Sequence, residues 1–105
     1  MNLEHRWSAR KRVCLEAFVF HRFTGLSQVK ILDISLEGVF IGTEHFNLPF
    51  PSVVELTFSL NIAGKESIYQ LQAMVIHRTD NGYGLMFKDF KLDAYQAIRV
   101  LLFAA

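Results

Sequence analysis

Asp33, Ser35 and Gly38 fall within one short stretch, Asp33-Ile34-Ser35-Leu36-Glu37-Gly38, set between two apolar runs. A carboxylate accepts hydrogen bonds, a hydroxyl bonds nearby backbone, and a glycine admits positive φ or lets a ligand approach the main chain. Val29 and Ile31 lead into the stretch and Val39, Phe40 and Ile41 leave it, which describes a polar corner joining two strands. Upstream, Glu4-His5-Arg6-Trp7-Ser8-Ala9-Arg10-Lys11-Arg12 holds two arginines four positions apart and two more cations directly after. An arginine presents a planar fork of donors that grips a phosphate bidentately and stacks its flat face on a ring. Together these residues suit the binding of an anionic, planar ligand and offer little to bond-breaking chemistry.

Arg-x-x-x-Arg followed by Asp-x-Ser-x-x-Gly, each beside a β-type run, resembles the PilZ domain family. That family uses the two motifs to bind the bacterial second messenger cyclic di-GMP. The resemblance spans nearly the whole chain, and Tyr83-Gly84-Leu85-Met86-Phe87 is similar to the Gly-containing last strand of the family. It implies a ligand site made of Arg6, Arg10, Asp33, Ser35 and Gly38, with His5, Trp7, Lys11 and Arg12 as further candidates. In that site the arginines would neutralise two phosphates or read a guanine O6/N7 edge, and Asp33 would accept from guanine N1–H and N2–H₂. It also implies a six-stranded barrel with a C-terminal helix, no cofactor beyond cyclic di-GMP as ligand, and an output through a protein partner.

Plainer readings stand beside these. The arginines can be solvated charges of a basic tail, and Asp33 and Ser35 can simply cap a turn. Trp7 can stack on a purine or cover an apolar patch. His5, His21, His45 and His77 lack ligand-like spacing and there is no second cysteine, which speaks against a metal site. No nucleophile with its base and no phosphate-binding glycine loop is present, so the chain is not expected to be an enzyme. Two other functions compete with the receptor: a PilZ-like interaction domain that binds no nucleotide, and a small-barrel nucleic-acid binder using Trp7, Phe18 and Phe20. A net charge of +1 weighs against nucleic acid.

The elements needed to hold such a site follow from periodicity. At 105 residues, with 51% hydrophobic residues and ten Phe, the chain is one domain with one core. Residues 1–12 read as a flexible basic arm that a ligand would order, 13–88 as a barrel, and 91–105 as a C-terminal helix. Strands are expected over 13–23, 26–34, 39–43, 53–60, 66–78 (with a bulge where parity changes) and 83–88. Thr24-Gly25, Ala63-Gly64-Lys65 and Asp80-Asn81-Gly82 mark turns, the last because Asn-Gly accepts positive φ. Leu92, Tyr95, Ile98, Leu101 and Leu102 recur at helical spacing. The fold class is mainly β: a small antiparallel six-stranded barrel with a terminal helix. That helix could also meet a second copy of the chain. Cys14 lies in an apolar run, which predicts a buried, inert thiol in a reducing compartment. No run approaches the ~20 apolar residues of a membrane span, and the chain is expected to be soluble and cytoplasmic.

Overall fold

The computed structural model describes residues 9–42, 47–89 and 91–103. Six strands, β1 (Arg10–His21), β2 (Gly25–Ser35), β3 (Gly38–Gly42), β4 (Ser52–Ile62), β5 (Lys65–Thr79) and β6 (Gly82–Phe87), precede one helix, α1 (Leu92–Phe103). Every pairing is antiparallel, and the sheet closes as β1-β2-β3-β6-β5-β4. Closure leaves no free edge among these strands, and their inner side chains supply most of the core.

Alternation decides which those are. In β4, Val54, Leu56, Phe58 and Leu60 are buried while Val53, Glu55, Thr57 and Ser59 face outward. Val19, Ile31, Ile34, Ile41 and Val75 complete the centre, with Ile98 of the helix among them. The helix buries Ala94, Ala97 and Ile98, and half-buried Leu101 and Leu102 pack beside them. Its small alanines let the backbone come close to the barrel. Its last turn carries no basic residue of its own. Lys11 reaches across from β1 and donates to the Leu101 carbonyl at 3.2 Å, which places a cation at the negative end of the helix dipole.

Three expectations change. β1 begins at Arg10 rather than Val13, because Arg10, Lys11 and Arg12 pair with Ser35, Ile34 and Asp33. The basic segment expected to be a mobile arm to residue 12 is therefore strand in its last three positions. Cys14 is exposed rather than buried, since Val13, Leu15 and Ala17 take the inner parity and leave it outside. The Asp80-Asn81-Gly82 turn forms without positive φ; the described residues with positive φ are Gly25, Ala63 and Gly64. The last two make the two-residue β4–β5 connection, where both residues have positive φ as a type I′ turn requires.

The expected bulge in the fifth strand is present, between Val75 and His77 in the pairing with β6. Among the described residues, no helix is long and apolar enough to cross a membrane.

Candidate functional site

Asp33 would be buried if β2 alternated without interruption, because it shares the parity of Val29 and Ile31. A register shift between Ile31 and Asp33 in the β2–β3 pairing prevents this. Leu32 and Asp33 both come out, and Ile34 returns to the core. A second shift, between Arg12 and Leu15, sits at the same level on the β1 side. The shift between Val75 and His77 does the same in β5, turning Ile76 and His77 out together. Bulges commonly re-aim side chains beside functional sites, and all three adjoin one lateral row of the barrel.

That row can be followed through the register. Arg12 lies opposite Asp33, Asp33 opposite Phe40, Phe40 opposite Gly84, and Gly84 opposite His77. Five positions at about 4.8 Å per strand make a lane roughly 20 Å across. Cations and a carboxylate stand at one end. A half-buried phenylalanine and a glycine form the middle, and an exposed histidine stands at the far end. Arg10, diagonal to Asp33 across the β1–β2 pair, donates through Nη1 to Asp33 Oδ1 at 2.5 Å. Arg12 has no ion-pair partner among the described residues.

Ser35 and Gly38 do something else. Ser35 is fully buried; its Oγ accepts from the backbone N–H of Glu37 (3.1 Å) and Gly38 (3.2 Å) and donates to the Gly38 carbonyl (3.3 Å). That uses the one donor and both acceptor sites of a hydroxyl. Gly38 lacks positive φ; a Cβ there would collide with the Leu85 carbonyl oxygen of β6. The approach that demands glycine is therefore strand against strand. At the other end of the β3–β6 pair the same device recurs. Thr79 Oγ1 accepts from Asn81 N–H (3.1 Å) and donates to the Gly82 carbonyl (3.4 Å), and a Cβ at Gly82 would strike the Ile41 carbonyl oxygen. A hydroxyl, two residues and a glycine thus bracket this short strand pair at both ends.

Removing the Ser35 hydroxyl strands one buried backbone donor, at Gly38, and one part-buried donor, at Glu37; the buried one costs about 1–3 kcal/mol if no water replaces the hydroxyl. Ser35→Ala is expected to lower Tm by roughly 4–8 °C for each kcal/mol lost, read by thermal denaturation.

Of the residues singled out in the sequence, Arg10 and Asp33 are brought together, with Arg12 beside them. Lys11 is turned toward the helix end, away from this lane. His5, Arg6 and Trp7 lie outside the described residues. Phe40, Gly84 and His77 were missed, since only strand order and register reveal that they share a row with Asp33. His21, by contrast, is buried at the β1–β2 turn, where Nδ1 accepts from the Phe23 and Thr24 N–H groups.

A family model described as PilZ domain matches residues 4–104. Among solved structures, the PilZ domain of CeSA from a cellulose-synthesizing bacterium has a TM-score of 0.63 at 17% identity, covering 91% of this chain and 96% of that one. The inhibitor of motility MotI/DgrA of Bacillus subtilis has a TM-score of 0.78 at 12% identity, covering 97% of this chain and 51% of that one. An uncharacterised protein of Legionella has a TM-score of 0.54 at 22% identity, covering 89% of this chain and 88% of that one. At these identities the structural likeness concerns the fold alone. No curated protein matches the chain.

Proposed function

Since the chain belongs to the PilZ domain family, whose members are cyclic di-GMP-binding and adaptor domains rather than enzymes, we propose that it is a cyclic di-GMP receptor. The observation that carries the proposal is the outward pair Arg10–Asp33, aimed by bulges at the head of a lane floored by Phe40 and Gly84. Ligand binding exchanges the ion pair for better partners. Guanine N1–H and N2–H₂ donate to Asp33, while Arg10 and Arg12 turn to phosphate or to the O6/N7 edge. Phe40 and His77 offer ring faces for a base, and Gly84 leaves room between them. Arg6 precedes the described residues and completes the family's first motif. Ser35 and Gly38 serve this site by shaping the corner that ends β2.

The domain acts by binding, and its output passes to a partner protein that distinguishes the ligand-bound from the free form. One observation favours a second reading, an interaction domain without nucleotide. Ser35 and Gly38 are both committed to the fold, so a chain could keep half of the second motif for architecture alone.

Calorimetric titration separates the two readings. Cyclic di-GMP is expected to bind, with GTP and cyclic di-AMP as weaker controls. Arg10→Ala is expected to weaken affinity by about tenfold or more through loss of a charge-assisted contact. Absence of heat at high micromolar ligand would overturn the receptor and leave the interaction domain.

A further inference from the structure

The end of the barrel away from Arg10 carries a different surface. Phe18 and Phe20 face outward from β1, and Phe20 pairs across the ladder with exposed Leu26 of β2. Beyond them, Phe23 in the β1–β2 turn is 81% exposed. On the other flank Phe20 pairs with Glu55 of β4, and Val53, two residues earlier on the same outward parity, is exposed as well. Arg22 follows Phe20 by two positions and lies with its guanidinium 5.1 Å from the Phe23 ring centroid. Contiguous aromatic surface of this kind is uncommon on a chain that stays alone, and aromatic residues with arginine are enriched at protein contacts.

We infer that this face joins a second copy of the same chain in a two-fold dimer. The charges select that occupant. Arg22 and Glu55 have no ion-pair partner among the described residues. Phe20 pairs with Glu55, and continuing that antiparallel register by two positions sets Arg22, the first residue of the turn after β1, beside Val53, so that Arg22 and Glu55 take opposite corners of a quadrilateral completed by Phe20 and Val53. A two-fold axis lying in the contact plane along the Phe20–Val53 diagonal sets Phe20 on the partner copy's Phe20 and Val53 on its Val53. The same operation brings Arg22 of each copy to Glu55 of the other, forming two equal ion pairs. An isologous contact requires such a self-complementary patch; a different protein would need no cation and anion balanced about one apolar line. The face lies ten residues along β1 from Arg10, roughly 30 Å at strand rise. Its Val53 edge comes nearer the far end of the lane, because Val53 pairs with Met74, three residues before His77 on β5; the inference does not rest on the receptor reading.

The test is sedimentation equilibrium of the full chain from low micromolar to near-millimolar concentration, with Arg22→Glu, Glu55→Arg and the double exchange. The wild type is expected to pass from monomer to dimer. Each single variant, facing like charges twice, is expected to weaken the dimer about tenfold or more, and the double variant to restore it. Restoration also excludes misfolding as the cause of the single effects. A wild type that remains monomeric, a dimer indifferent to either single variant, or a double variant that stays dissociated overturns the proposal.

Discussion

Asp33→Ala is expected to weaken cyclic di-GMP binding by about 30- to 150-fold, equivalent to 2–3 kcal/mol, in calorimetric titration. The same variant should leave Tm nearly unchanged. Both halves follow from where the carboxylate sits. Asp33 and Arg10 are partly exposed, at 28% and 54% of their side chains, and a solvent-exposed ion pair contributes no more than ~1 kcal/mol to folding. The carboxylate matters more to a ligand that presents two adjacent donors, because a purine edge laid over Phe40 excludes the water that would otherwise compensate. Asp33→Asn sharpens the test. It keeps the shape but turns a donor toward donors, so it should fall close to Ala rather than to wild type. Binding that survives both substitutions would remove Asp33 from the site, and with it the observation on which the receptor rests.

Local alternation was enough to lay out this barrel. Val54, Leu56, Phe58 and Leu60 face inward as their spacing demands, and the 3.6-residue pattern after Leu92 becomes α1. What alternation misplaces is the segment around a bulge. Asp33 is positioned by a register shift, and a shift depends on pairing between strands distant in sequence, whereas Cys14 simply keeps the outward parity that Val13, Leu15 and Ala17 leave it. For the same reason Phe40, Gly84 and His77 could not be read as neighbours of Asp33: they come from three strands, and β6 lies between β3 and β5 against chain order. The Arg10 and Asp33 chemistry was legible because it depends on residue type. The roles of Ser35 and Gly38 were not, because a hydroxyl and a glycine at that spacing suit a ligand or a corner equally well. The second copy of the device, Thr79 with Gly82, has no carboxylate at the position corresponding to Asp33; His77 stands there instead. The hydroxyl and glycine therefore belong to the β3–β6 brackets, and the residue two before each hydroxyl is free to carry function.

Gly38→Ala separates architecture from recognition, and its expected effect falls on the fold. The added Cβ would run into the Leu85 carbonyl oxygen, with the Leu85 carbonyl carbon at 3.0 Å and Met86 Cα at 3.1 Å. These are backbone atoms of a strand paired on both sides, so no side-chain rotation relieves the contact. Overpacking typically costs 1–3 kcal/mol where side chains can yield; here the β3–β6 pairing must open or β6 must shift, and a loss of about 3 kcal/mol or more is expected. That lowers Tm by more than ~10 °C and speeds amide exchange at Gly38 and Phe87, whose N–H donates to the Glu37 carbonyl at 2.8 Å. Gly25→Ala is the matched control. Its φ of +83° costs about 1–2 kcal/mol for an L-residue, yet nothing lies within 4 Å of the new Cβ. If Gly38 instead existed to admit a ligand, Gly38→Ala would melt like wild type and fail only in the titration. A fully stable, non-binding Gly38→Ala protein would return Gly38 to the ligand; a destabilised one places it with Gly82, as a glycine that lets β3 and β6 meet.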